Sequence, residues 1–450
     1  MSSVLHISTV FNRKGLGGFM SVWIGPSQLH VDGHKELTNY NDIVTIQAPK
    51  TVYIPLINGL STSFEVLVKE NDRVFVNTKL AVRNDNFTVP LFSPVSGVVK
   101  GIKKVMHASL KPIDHIVIEN DGQNEKAQTL EPVNYESASR EELIDFMMNA
   151  GIVGMGGAGF PSYIKYKFAK DIHTIVINGV ECEPYITADY RMMENYLEDL
   201  LVGTSAMIKM AQAQKAMISV KKTKKALIAK LEKAVENYPT IEIKAVPDVY
   251  PMGWERTLVY QIFKKRYDKL PSELGLVVNN ATTAIAFGQA LTKGETPTYK
   301  MVTVSGDGVS KPSNVFVAVG TPTSDIVAQL GGYTGEQISC IAGGPMMGKT
   351  IVNDQFVVTP YTNAITILKT KPLDPIACLR CGKCNDYCPA GLLPVRINNA
   401  EETKNVDLIA QLRADQCIEC GLCSYVCPSR LDVTEGVKRA KKALQLRKGA

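Results

Sequence analysis

Over the first 44 residues the apolar positions are scattered among glycines and polar residues, and neither the strand period of two nor the helix period of 3.6 emerges. This stretch is expected to wrap the surface of whatever follows it. From Thr45 short apolar runs begin: VYIPL, FEVLVK, DRVFV, TVPLFSPVSGVVKGIKKV and DHIVIEN. They are rich in Val, Ile and Phe and bounded by Asn, Asp, Gly and Pro, which predicts strands over 45–125. After EPVNYESAS the period lengthens. Ser139 and Glu142 form a capping-box pattern ahead of LIDFMMNAGIV, so a helix starts there. A glycine-rich stretch, the strand-like HTIVINGVECEPY, helices to about 237 and further alternation to about 296 predict an α/β domain over 135–299. MVTVSGDGVSKPSNVFVAVGTPTSDIVAQLGGY returns to short strands with one helix, a small β-grasp-like unit over 300–368. KPLDPIA, 371–377, reads as a linker into a last domain over 372–450. The expected fold class is multidomain α/β.

Composition adds limits. The chain has 450 residues, 45% of them hydrophobic and 21% charged, which is ample for several cores. The formal charge of +6 is modest for this length, and part of it lies in KRAKKALQLRKGA and VKKTKKALIAKLEK. Such faces are solvated or weakly drawn to an anionic membrane or acidic partner. No aromatics are interleaved with them, so no nucleic acid is expected as a partner. The N-terminus lacks the apolar core of a signal peptide, and no run of about 18 apolar residues predicts a membrane span. A soluble, intracellular chain with reduced thiols is expected, and clustered cysteines there point to metal.

Eight of the ten cysteines lie in CLRCGKCNDYCPAGLLP and CIECGLCSYVCPSRLDV. Each stretch reads C-x2-C-x2-C-x3-C-P. Three thiolates spaced by two residues wrap one corner of a [4Fe–4S] cube, and the fourth reaches the other cluster. Cys378, Cys381, Cys384 and Cys427 are therefore expected to hold one cluster, and Cys417, Cys420, Cys423 and Cys388 its partner. Structural zinc is the competing reading, but zinc motifs usually offer two separated Cys-x2-Cys arms. The lone Cys182 and Cys340 are expected to be small buried residues.

Gly154, Gly156 and Gly159 fit G-x-G-x-x-G, but a helix precedes them where a dinucleotide site needs a strand. With Gly157 they leave backbone N–H groups open to a flat or anionic ligand. Pro161 suits the first turn of a following helix whose N-terminus favours phosphate, with Lys165 one turn in. A tight turn between helices is the alternative. Glu181 and Glu183 alternate just past a strand, where ligands of open α/β sheets collect. An extended backbone puts both carboxylates on one side, where they hold ribose hydroxyls or a flavin edge, or else form an acidic surface turn.

VKENDRVFVNTKLA with SPVSGVVKGI resembles a biotinyl- or lipoyl-type barrel-sandwich hybrid. Those carriers present a lysine at a hairpin tip. Here the tip, VRNDNFT, has none, so a scaffold or docking role is expected for 45–125.

In order along the chain, GMGGAGFP, INGVECEP, VVNNATTA, MVTVSGDGVSKPSN and AGGPMMG, between the barrel-sandwich and the double cysteine motif, resemble the RnfC subunit of the Rnf electron-transport complex. The glycine loop and E-x-E-P stretch are also similar to the NADH- and FMN-binding subunit of respiratory complex I. The resemblance implies a complex-I-like FMN/NADH-binding α/β domain, a soluble-ligand-binding β-grasp domain and a two-[4Fe–4S] ferredoxin-like domain. It implies FMN bound by Gly154, Gly156, Gly157 and Gly159, with Lys165, Asn178, Glu181, Glu183, Asn279, Asn280 and Thr283 around it, and NAD(H) stacked on that flavin. It implies membrane partner subunits, docking as a peripheral protein on the cytoplasmic face of the cell membrane, and ferredoxin as an indirect partner. Ion translocation would then belong to those partner subunits.

Two stretches depart from the family pattern. WIGPS at 23–27 stands where H-P-P is usual, and Trp254 in YPMGWE stands where glycine is usual. Hydride chemistry moves two electrons and a cluster accepts one, so a flavin between them suits an electron-transfer oxidoreductase. No residue is arranged as a catalytic nucleophile. A relay or scaffold subunit with a degenerate nucleotide site, and a cobalamin-reductase-like iron–sulfur flavoprotein, are the other readings.

Overall fold

Thr174–Asn178, the run TIVIN, is buried on both faces, as a strand inside a parallel sheet must be. It lies third in a four-stranded, wholly parallel sheet ordered Ile241–Val246, Lys215–Lys221, Thr174–Asn178, Leu276–Asn280. The structure is a computed structural model and describes residues 29–370 and 374–448. WIGPS and the start of the linker fall outside the described residues. Parallel register sets Asn178 beside Asn280 and Ser219 at the carboxyl edge.

The helices Leu197–Ala211 and Ala281–Lys293 cover this sheet and touch each other through glycine. A Cβ on Gly203 would lie 1.9 Å from the Ala284 carbonyl oxygen, and one on Gly288 would lie 1.9 Å from that of Asp199. Leu200, Leu201, Met207, Ile285 and Phe287 fill the space on either side of this close crossing.

Strands Thr51–Pro55, Pro112–Asn120, Gly97–Met106 and Arg73–Val74 form one sheet of the barrel-sandwich, and Phe64–Val66, Lys79–Asn84 and Thr88–Phe92 the other. Val52, Ile54, Leu80, Ile116 and Ile118 fill the space between. The β-grasp unit is a six-stranded sheet with the helix Thr323–Gln329. Its edge strand, Val44–Thr45, comes from the front of the chain and pairs with Ser313–Ala318.

The described part of the N-terminal segment ties domains together. Leu29 bridges to Tyr250. Thr38 Oγ1 lies 2.7 Å from Thr187 Oγ1, Asn314 Nδ2 donates to the Thr38 carbonyl, and Thr187 N–H donates to Thr303 Oγ1. The regular elements of the cysteine domain are helices, closed by Val433–Lys448 over Ile397, Ile409 and Val437.

Gly288→Ala is expected to lower stability by about 1–3 kcal/mol, because the new methyl meets rigid backbone. That loss exceeds the roughly 1 kcal/mol gained in helix propensity. A fall in the thermal midpoint checks it, and an unchanged or raised midpoint contradicts it.

Candidate functional site

The glycine loop closes on itself. Gly154 N–H donates to the Phe160 carbonyl at 2.7 Å and Gly159 N–H to that of Gly154 at 3.0 Å. Met155 N–H donates to Thr283 Oγ1 at 2.9 Å, which pins the loop to the first turn of Ala281–Lys293. Asn280 caps that helix, its side chain accepting from Thr283 N–H, and a Cβ on Gly156 would press on the Asn280 side chain at 3.1 Å. Gly157 has φ +115° and open space before it, so the loop offers bare backbone there. The helix start beside the loop is thus Ala281–Lys293. The stretch after Pro161 yields only the four-residue Ile164–Lys167, too short to present the N-terminus expected there.

The barrel-sandwich docks on this loop through the hairpin tip that carriers use for lysine. Phe87 meets Phe160 edge to face at 5.6 Å, Tyr163 accepts from Thr88 N–H, and Asn58 Nδ2 donates to the Gly159 carbonyl at 2.7 Å. Arg83 and Ser61 hold Asp85 at the tip, keeping its carboxyl below the usual range.

Asn178, Asn279 and Asn280 meet at the carboxyl ends of adjacent strands. Asn178 Nδ2 donates to the Gly253 carbonyl, and its Oδ1 accepts from Val180 N–H. Asn279 donates to Tyr166 Oη at 2.5 Å, and its buried Oδ1 has no partner among the described residues. Lys165 Nζ donates to the Val278 carbonyl at 2.5 Å, and burial lowers its pKa.

The alternation of Glu181 and Glu183 predicts paired carboxylates, but the structure sends them apart. Glu181 accepts from Asp189 N–H and Tyr190 N–H at the start of Ala188–Asn195. Burial, with Asp189 nearby, raises its pKa. Glu183 Oε1 accepts from both Met346 N–H and Met347 N–H at 2.8 Å, in the AGGPMMG turn of the β-grasp unit. Burial raises its pKa too.

Four residues that the sequence pattern does not single out complete this centre. Lys35 donates to the Glu183 and Ile186 carbonyls. Asp189 accepts from Asn280 Nδ2 at 2.5 Å and Thr282 Oγ1 at 2.6 Å. Lys300 donates to the Met155 carbonyl at 3.1 Å. Tyr250 Oη donates at 2.7 Å to the carbonyl of Cys420 and lies 3.2 Å from Glu183 Oε2. Lys300 carries a signal: a lysine in the otherwise apolar strand Tyr299–Ser305, buried with its neighbours. Lys35 carries none, since its segment has no period. Trp254 is half-buried at φ −73°, capping Glu255–Phe263, a conformation any residue adopts. The tight position is its neighbour Gly253, where a Cβ would lie 2.2 Å from the Val180 carbonyl oxygen.

Cys388 leaves its own motif and joins Cys417, Cys420 and Cys423 in the wall of one cavity, with Leu392, Leu422 and Val437. Backbone N–H groups of Glu419 and Leu392 donate to the sulfurs of Cys417 and Cys388 at 3.3 and 3.4 Å. Burial raises all four thiol pKa values, so loading a cationic cluster releases their protons. This donor set fits iron–sulfur ligation. Cys378 and Cys381 lie exposed with Cys384 near them. Ile376 N–H donates to the Ser429 carbonyl, which brings the start of the first motif beside the Cys427 turn. Cys340 is buried in the β-grasp core, and Cys182 packs beside Tyr250 and Met346.

Burial holds the Lys300 ammonium pKa down at about 8 against the pull of Asp189 and Glu181. Between that value and the ordinary 10.5 the unfolded chain binds more protons, so stability rises with pH across this window. Lys300→Met is expected to remove that rise, on the order of 3 kcal/mol in total. Denaturant unfolding at pH 8 and 10.5 checks it, and identical slopes in both proteins contradict it.

Comparison with known proteins matches four segments of the chain to family models. The RnfC barrel sandwich hybrid domain matches 26–123 and the Nuo51 FMN-binding domain 147–288. The SLBB domain matches 301–350 and the 4Fe-4S dicluster domain 377–431. An FMN-binding domain and a 4Fe-4S dicluster domain are therefore present. The RnfC-type subunit of the ion-translocating oxidoreductase complex of Rhodobacter capsulatus is 36% identical over 384 residues, 82% of this chain and 73% of that protein. Its counterpart in the Na(+)-translocating ferredoxin:NAD(+) oxidoreductase complex of Acetobacterium woodii is 32% identical over 378 residues, 82% of this chain and 85% of that one. Among solved structures, an NAD+-reducing [NiFe]-hydrogenase in the H2-reduced state aligns with a TM-score of 0.49 at 19% identity, over 69% of this chain and 64% of that one. Among the described residues no helix is long and apolar enough to cross a membrane. The barrel-sandwich, flavin, β-grasp and dicluster domains, in one order and at these identities, make the chain a member of the RnfC family of ion-translocating oxidoreductase complexes.

Proposed function

We propose that this chain is the electron-transfer subunit of an Rnf-type ferredoxin:NAD oxidoreductase, passing electrons between NAD(H), FMN and two [4Fe–4S] clusters. The observation that carries the reading is the direct contact between flavin domain and cysteine domain, where the Tyr250 hydroxyl meets the Cys420 carbonyl at 2.7 Å. When bound, FMN exchanges a hydride with a nicotinamide and single electrons with iron–sulfur centres.

The chain's own residues divide that work. Gly154, Gly156, Gly157 and Gly159 offer backbone amides to the phosphate, beside the start of Ala281–Lys293. Thr283 and Asn280 hold the loop to that helix, and Asn178 and Asn279 form the polar strand ends beside it. Lys165, Glu181 and Glu183 act one layer out, bonding backbone so that the loops keep their places. Cys378, Cys381, Cys384 and Cys427 hold one cluster, and Cys417, Cys420, Cys423 and Cys388 the other. The cavity that Cys388 shares with the second motif supports this crossing.

The partners are membrane subunits of such an assembly, with this chain docked peripherally on the cytoplasmic face and ferredoxin further along the route. Support comes from the names of the relatives, one of which belongs to a Na(+)-translocating ferredoxin:NAD(+) oxidoreductase complex. Trp254 favours a second reading, a relay subunit whose nucleotide site is closed by the indole. Its ordinary φ and half-buried position at the start of Glu255–Phe263 leave room for NADH beside it, which favours the first.

Stopped-flow absorbance after mixing with NADH tests this. Flavin bleaching is expected in wild type and in Trp254→Gly, with rates within about tenfold, the weight of one aromatic contact. No bleaching in wild type, with rapid bleaching in the glycine variant, would leave the relay reading standing instead.

A further inference from the structure

The seam between the flavin and cysteine domains is built from three loops and the N-terminal strap. Tyr250 stands at its centre. Its backbone N–H donates to the Leu29 carbonyl at 2.8 Å, and its ring packs with Val31, Cys420 and Leu422, beside Cys182, Met346 and Ile418. Its hydroxyl donates to the Cys420 carbonyl and faces the Glu183 carboxyl. Glu183 in turn accepts from both amides of the AGGPMMG turn. Two glycines make the fit possible. A Cβ on Gly344 would lie 2.0 Å from the Glu183 side chain, and one on Gly421, at φ +80°, would lie 2.5 Å from the Met346 carbonyl oxygen.

The two sets of cysteines stand differently toward this seam. Cys420 and Cys388 are buried, and Gly421 touches the β-grasp turn. Cys378 and Cys381 are exposed, as are their neighbours Ile376 and Leu379.

We propose that Tyr250, braced by Glu183, is a positioning residue that seats the Cys420 loop against the flavin domain. On this assignment the centre held by Cys388, Cys417, Cys420 and Cys423 is the inner one and the Cys378 centre faces outward. The inference rests on the function proposed above and adds the order of the centres. An electron crossing the seam is one equivalent: one side loses it as the other gains it, and no bond forms or breaks there. Placement is therefore the protein's whole contribution, and a displacement of about 1 Å costs on the order of a hundredfold in rate. A hydrogen bond at a ligand's own backbone also tunes the centre it serves.

The test uses the full chain with its cofactors, as wild type, Tyr250→Phe, Glu183→Gln and Glu183→Ala, each checked for equal iron and flavin. The flavin is reduced by a light flash, and the arrival of electrons at the clusters is followed by absorbance. Redox-titrated EPR then gives the potential of each centre, with a Cys423→Ser variant marking the one held by the second motif. Because the flash replaces NADH, a chain that fails to oxidise NADH still reports on the seam.

Tyr250→Phe is expected to slow electron arrival by about ten- to a hundredfold and to shift the potential of the marked centre alone. Glu183→Gln keeps an oxygen for the two amides and should stay near wild type, whereas Glu183→Ala should behave as Tyr250→Phe does. Wild-type rates and potentials in both Tyr250→Phe and Glu183→Ala would overturn the proposal. So would a shift confined to the unmarked centre.

Discussion

A carbonyl enclosed between domains must find a donor, and the Cys420 carbonyl finds one in the Tyr250 hydroxyl. Most of the architecture meets at that bond. The cysteine loop reaches it through Gly421, the β-grasp unit through the Met346 and Met347 amides on Glu183, and the front of the chain through Leu29. The flavin domain supplies Tyr250 and Glu183 themselves. Polar bonds of this kind fix relative placement more narrowly than apolar packing does, since distance and angle both matter. For a protein that moves electrons between bound groups, relative placement is the property that counts.

A second junction works in the same way. The barrel-sandwich presses its hairpin tip on Phe160 and Tyr163 and bonds the Gly159 carbonyl through Asn58. A tip that carries a swinging group must be free; this one is clasped by Arg83, Asp85 and Ser61. Its position gives the glycine loop a backing on the side away from Ala281–Lys293. The loop is thereby held by two domains, with Gly157 left open.

The fold class is readable in the sequence because it rests on local chemistry. Period, capping box and turn residues are written within a few positions of one another, and Ser139 with Glu142 does cap Arg140–Asn149. The gathering of Cys388 with Cys417, Cys420 and Cys423 is readable because the three-residue gap makes the fourth sulfur point elsewhere. Partners distant in sequence are not. Glu183 is legible as an acid just past a strand, but the amides it holds lie 163 and 164 residues later. Nothing local in YPMGWE says that Tyr250 meets a carbonyl 170 positions on. Lys35 and Lys300 escape notice because a lysine is ordinarily read as solvated, and only tertiary packing encloses these two.

One chain is expected to hold a flavin and two clusters. The most direct measurement is chemical: iron, acid-labile sulfide and flavin quantified per chain after anaerobic purification. About eight iron, about eight sulfide and one FMN per chain are expected. About four iron and sulfide, or zinc in place of iron, would contradict it.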